Sequence, residues 1–241
     1  TVTVNPGVGM EVPDDQVVCH GTAIEPVAFK TTLEGVEASY RWERDNEAIE
    51  GLQMFGEGDM AGCVCYNTTQ TAQTTVVTVH PTYTVGGESF EGAPVTFRIT
   101  VNPNVSMNVP KNQVVCHGAS TEPIAFGTTL GDGAVGYTWE RTNDAIEVMP
   151  MWGEGDAMPG FVAENNTLSS QTTTIAVTPT YTNNGVSCQG SPVSFTVTVN
   201  PGVGMEVPDD QVVCHGTAIE PVAFETTLEG VEASYRWERD N

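Results

Sequence analysis

Residues able to do chemistry are few in this 241-residue chain, and most of them come more than once. The acidic run Gly56-Glu57-Gly58-Asp59 returns as Gly153-Glu154-Gly155-Asp156. Paired glycines can bend a backbone around a hard cation while Glu57, Asp59, Glu154 and Asp156 supply oxygens, so calcium is the ion this pattern admits. A second cluster, Asp14-Asp15 behind Pro13, returns as Asp209-Asp210, but the copy between them carries Lys111-Asn112. An ion there would be confined to some copies. Neither cluster has EF-hand spacing. Cys19-His20 with Cys63 and Cys65 offers soft ligands, yet no Cys-x2-Cys or His-x3-His clip accompanies them, and a surface histidine beside a structural cysteine is the simpler reading.

Catalysis finds no foothold. Two carboxylates on one turn lack the separate environments that acid and base roles need. No Gly-x-Ser-x-Gly, His-Glu-x-x-His or phosphate-binding loop is present. The polar candidates recur from copy to copy, as scaffold residues do. The chain reads as a non-enzyme that requires no cofactor, with calcium as an option. Eight Lys and Arg against 31 Asp and Glu give a net charge of −23, which repels phosphate backbones and anionic membrane surfaces and argues against nucleic acid or lipid as partners. The triplets at Asn67, Asn104 and Asn165 fit the N-glycosylation pattern, but such triplets arise by chance in a chain rich in Thr and Asn.

The elements that must position these residues are set by internal repetition. Residues 1–46 recur at 196–241 with one difference, Lys30 against Glu225, and a diverged copy lies between them. Gln16-Val17-Val18-Cys19-His20-Gly21, for example, becomes Gln113-Val114-Val115-Cys116-His117-Gly118. The pattern is A, B, then A again, with repeat A at 1–101, repeat B at 102–199 and the start of a further A at 200–241. A repeat of about 97 residues is the size of one Ig-type sandwich. The third copy stops just after its Trp strand. It needs further strands, from its own continuation or from another chain.

Hydrophobic residues alternate with period two. Val95, Phe97, Ile99 and Val101 interleave with Thr96, Arg98 and Thr100, and Val193, Phe195, Val197 and Val199 repeat the pattern. That period, with Thr and Val enrichment, predicts strands, about seven per repeat, and no stretch shows a helical stripe. The strand Tyr40-Arg41-Trp42-Glu43-Arg44 and its counterparts place Trp42, Trp139 and Trp237 where an Ig-type sandwich holds its central core residue. The joins Val4-Asn5-Pro6, Val101-Asn102-Pro103 and Val199-Asn200-Pro201 contain no Ser/Gly linker. Proline restricts φ there, which predicts stiff joints. The expected architecture is therefore all-β, with tandem Ig-like sandwiches set end to end as a rod. The chain opens at Thr1 without a basic-then-apolar leader and has no apolar run near the ~18 residues that span a bilayer, so an excerpt or a processed product is expected.

The frame Val-Asn-Pro, Gln-Val-Val-Cys, Tyr-x-Trp, Gly-x-Gly-Asp, Pro-Thr-Tyr and Gly-x-Pro-Val-x-Phe resembles the PKD-like repeats of large Bacteroidetes surface proteins. Among these are the giant repetitive adhesins of gliding motility, exported by type IX secretion. The resemblance covers essentially the whole chain. It implies a bacterial cell-surface setting and a stalk role, with adjacent repeats as the first partners. It also implies that Gly-x-Gly is a turn requirement with the acids as decoration. The family commonly pairs the two cysteine positions occupied here by Cys116 and Cys188, which implies that disulfide in repeat B. Repeat A departs from the family, since Phe90 stands at the second position. Cys19 then looks to Cys63 or Cys65, whose side chains share a face, and the other thiol stays free or cross-links to a neighbour.

Three roles compete on these residues. The first is a stalk that extends a binding region of a surface adhesin. The second is a repeat region of a self-associating filament, with other copies as partners. The third is a module that reads surface polysaccharide on exposed aromatics such as Phe55 or Trp152. Those two hold equivalent positions, which favours a core role for them.

Overall fold

Alternation of apolar and hydroxyl side chains makes two long strands the centre of the architecture. The computed structural model describes residues 9–85, 87–131, 134–228 and 232–239. In repeat A the strands are β1 (Gln16–Cys19), β2 (Thr22–Ala23), β3 (Ala38–Arg44), β4 (Phe55–Glu57), β5 (Val64–Cys65), β6 (Gln73–Val85), β7 (Glu88–Glu91) and β8 (Val95–Asn102). Repeat B repeats them as β9 (Gln113–Cys116), β10 (Ile124–Ala125), β11 (Ala134–Arg141), β12 (Trp152–Glu154), β13 (Ala157–Met158), β14 (Gln171–Asn183), β15 (Val186–Gln189) and β16 (Val193–Asn200). No helix occurs among the described residues, and none is long and apolar enough to cross a membrane.

The larger sheet of repeat A runs β1-β8-β6-β3-β4, with β7 hydrogen-bonded to β6, and the smaller pairs β2 with β5. Isolated bridges at Met10–Thr31, Val27–Met60 and Glu50–Tyr66 extend the smaller layer. Between the layers lies a core that includes Ile24, Phe29, Trp42, Ile49, Met60, Val77, Val79, Phe97 and Ile99. Repeat B has the matching sheet β12-β11-β14-β16-β9 with β15 on β14, and β10 pairs with β13. In each repeat the first strand joins parallel to the last, as in Gln16–Ile99 and Gln113–Val197. These are tandem Ig-like β-sandwiches.

Trp42 and Trp139 are core residues, 3% and 4% exposed. Each lies opposite a glycine, Trp42 across from Gly56 and Trp139 across from Gly153. A Cβ at either glycine would overlap the indole ring. The inward position of β4 and β12 is thus left empty so that the ring can fill it, and period two then turns the flanking residues outward. Phe55 and Trp152 are accordingly 75% and 73% exposed, which corrects the expectation of a core role for them.

Trp237 departs from its counterparts, being 72% exposed beside Ile219, Pro221, Val222 and Phe224. Trp42 by contrast lies across the ladder from Gly56 on β4 and from Val79 on β6. Among the described residues no strand pairs with the segment that carries Trp237. After Asn200, the described residues form the Met205–Thr226 bridge, flanked by Glu206 N–H to the Glu225 carbonyl and Thr227 N–H to the Gly204 carbonyl.

By contacts the chain forms two compact units. One comprises Thr1–Asn108, Gly127–Tyr137 and Thr178–Pro192, and the other Val109–Phe126, Thr138–Val177 and Val193–Asn241. The first unit thus contains repeat A together with the β14–β15 hairpin of repeat B. The join expected at Val4-Asn5-Pro6 lies outside the described residues.

Candidate functional site at Cys19 and Cys188

Within the first unit, one cluster joins residues far apart in sequence. Cys19 ends β1, where its backbone sits opposite Asn102 at the end of β8. The next residue is held in two ways. His20 N–H donates to the Asn102 carbonyl at 3.1 Å, and His20 Nδ1 accepts the N–H of Asn67 at 3.1 Å. Asn67 is fully buried, and its Nδ2 donates to the carbonyls of Thr71 and Val101 at 2.8 Å each. Its Oδ1 accepts the N–H and hydroxyl of Thr69. Asn165 repeats this in repeat B, with Ser169, Val199 and Thr167 as partners and its N–H on His117 Nδ1. The Asn-x-Thr triplets at 67 and 165 are therefore turn motifs whose amide groups are already bonded.

The hairpin arrives from repeat B. Asn184 and Gly185 both have positive φ, 48° and 78°, the combination of a two-residue type I′ turn, and it joins β14 to β15. The hairpin register places Cys188 opposite Tyr181. Cys188 is bonded to Cys19 as a disulfide, with a Cα–Cα distance of 5.5 Å. Val105, Tyr181 and Cys188 are buried together, with Cys19, Leu130, Val135 and Val186 packed against them. Asn102, itself fully buried, donates to Cys188 Sγ at 3.4 Å and accepts from Asn183 Nδ2 at 2.9 Å. Gly131 N–H reaches the Gln70 carbonyl at 3.0 Å. The middle residue of the Val-Asn-Pro join is thus a hydrogen-bonding hub.

This bond corrects both expected pairings. Cys116 is a free, exposed thiol rather than the partner of Cys188. Cys63 and Cys65 are free too, their sulfurs 3.8 Å apart. Cys65 is buried in the repeat A core, and burial, with the neighbouring Cys63 adding to it, pushes its thiol up to about 12. It stays protonated at neutral pH and is a poor nucleophile. Cys214, the copy of Cys19, is free and exposed. The physical reason is adjacency. In-repeat spacing does not reveal that the hairpin of one repeat meets the first strand of the repeat before it.

The carboxylates expected at calcium sites have backbone work. Asp59 Oδ1 accepts the N–H of Phe29 at 2.9 Å, and Asp15 Oδ1 accepts the N–H of Arg98 at 2.6 Å. In repeat B, Asn112 Oδ1 takes the N–H of Thr196 at 2.8 Å, doing the work of Asp15 without a charge. The Asp156 position uses its backbone carbonyl instead, which accepts from Phe126 N–H. Asp14, Glu57 and Glu154 are exposed. Among the described residues no group of three or more His, Cys, Asp or Glu is placed to hold a metal ion.

No family model matches this sequence, and no curated protein matches it. Among solved structures it is similar to the titin I-band fragment I67-I69, at 8% identity and TM-score 0.42, covering 82% of this chain and 66% of that one. It is also similar to human mucin-like protocadherin EC1-2, at 10% identity and TM-score 0.37, covering 81% and 98%. Tandem Ig repeats of Dlar match at 9% identity and TM-score 0.25, covering 81% and 98%. The tandem Ig-like architecture itself rests on the strands and registers of this chain.

Proposed function

We propose that this chain is a stretch of structural repeats from an extracellular surface protein, which spaces a binding region away from the cell. The bacterial adhesin setting implied by the resemblance belongs to this reading. The observation that carries it is the Cys19–Cys188 bond with its Asn102 hub, in which side chains are spent on joining one repeat to the next. A structural disulfide of this kind persists in oxidising compartments, which supports an extracellular location. The −23 net charge keeps such repeats soluble and mutually repulsive at high local density. Calcium has no part in the proposal, since Asp15 and Asp59 already serve backbone N–H groups.

A filament and a spacer differ in self-association. Light scattering over a hundredfold concentration range is expected to give a constant, monomeric mass. Growth of mass with concentration would favour the filament. A second reading has one observation behind it: Phe55 and Trp152 stand exposed at equivalent edge positions, as sugar-stacking residues do. Saturable polysaccharide binding that is lost in Trp152→Ala would establish that role.

A further inference from the structure

Repeats A and B share one frame at the cysteine-bearing positions. Cys19 and Cys116 end equivalent strands and sit opposite equivalent asparagines, Asn102 and Asn200. Each is followed by a histidine whose Nδ1 accepts a buried asparagine N–H. The hairpins are equivalent too, with Phe90 opposite Tyr83 in repeat A and Cys188 opposite Tyr181 in repeat B. Phe90 fills its place by packing on Tyr83, ring centroids 5.5 Å apart. The repeats therefore differ at this hairpin position in whether it carries sulfur.

The chain holds both possible partners for that sulfur. Cys116 belongs to the same repeat as Cys188, and Cys19 to the repeat before. The bond goes to Cys19, while Cys116 stays free and exposed. Asn102 recognises the same hairpin through Asn183 and Cys188, and its counterpart Asn200 recurs at the next join.

We propose that one hairpin position, occupied by Phe90 in repeat A and Cys188 in repeat B, decides which neighbouring repeats are covalently joined. The cysteine that ends a repeat's first strand is bonded by the hairpin of the repeat that follows, never by its own. In an A-B-A-B order, each A is then locked to the B after it, the two thiols giving up two protons and two electrons to a disulfide-bearing oxidant of the oxidising compartment by thiol–disulfide exchange. Each B meets an A hairpin carrying phenylalanine, so its Cys116-type thiol stays reduced. Cys214, at the start of the next A, has the chemistry to accept a further B-type hairpin. The array becomes a series of bonded pairs separated by unbonded joins. This holds whether the array serves as a spacer or not.

The test is a cysteine map of the full chain, purified without reductant, alkylated in denaturant so that buried thiols react, and then digested. Mass spectrometry is expected to find the Cys19 peptide joined to the Cys188 peptide, with Cys63, Cys65, Cys116 and Cys214 alkylated. A Cys116–Cys188 link, or Cys19 bonded to Cys63 or Cys65, would overturn the proposal. The double variant Phe90→Cys/Cys188→Phe then moves the hairpin thiol into the repeat that contains Cys19. All six cysteines are expected to be alkylated in it; a bond between position 90 and Cys19 would overturn the neighbour rule. Should the double variant misfold, the map of the unaltered chain decides on its own.

Discussion

Gly153 carries no chemistry, yet it fixes where Trp139 can lie. A methyl group there would overlap the indole, and the ring is enclosed by the core with little room to shift. Overpacking of this kind costs about 1–3 kcal/mol. Gly153→Ala is therefore expected to lower the denaturant midpoint of repeat B without changing the fold, with Gly56→Ala doing the same in repeat A. Chemical denaturation followed by Trp fluorescence measures both. Trp42 and Trp139 were legible as core in sequence because Tyr-x-Trp alternates cleanly, whereas the same pattern at Trp237 leaves the ring 72% exposed. The glycines were legible only as glycines, since the same Gly-x-Gly suits a turn, an ion loop or an indole. Which of these applies depends on the residue across the ladder, and the sequence does not print that residue beside it. The cysteines suffered more, because pairing is a statement about neighbours in space.

At the scale of elements, the corner after β3 is tied to β6 by Asp45. Its Oδ1 accepts the N–H of Val76 and the hydroxyl of Thr75, both at 2.9 Å. The backbone hydrogen bond from Val76 leads in holding its carboxyl below the usual carboxylate range. A depressed folded-state pKa contributes stability that is present above the unfolded value, near ~3.9, and is lost as pH falls through the folded one. Repeat B has Thr142 at this corner, bonding through its backbone N–H to the Thr174 carbonyl, so the dependence belongs to repeat A. Asp45→Asn is expected to melt below the unaltered chain at pH 7, with the gap closing as pH drops below about 4. Thermal melts across that range check it, and a gap that stays constant would show the charge to be idle. The long strands were readable from period two alone. The two-residue strands β2, β5, β10 and β13 were not, because so short a piece has no period and is defined only by its partner, β2 by β5 and β10 by β13.

For the whole molecule, repetition was the strongest sequence signal, and it named the architecture before any strand was assigned. What it left open was how one copy meets the next. The structure answers that in the first unit, through Asn102, the type I′ hairpin and the sulfur bridge. The bridge has a mechanical meaning. Cys19 and Cys188 are 169 positions apart, so everything between them is a closed loop. When the chain is pulled from its two ends, tension enters at Cys19, crosses the sulfurs and leaves from Cys188. The enclosed strands of both repeats carry none of it and cannot be drawn out. At about 3.6 Å per extended residue, the bond hides roughly 600 Å of contour length. Single-molecule stretching is expected to release that length only after a reductant is added. An oxidised chain that extended fully would mean the bridge is absent. A bonded A-B pair is thus a strain limiter: it lets its outer strands, β1 and β16, yield under load while the bulk of both sandwiches stays folded and returns when the pull stops.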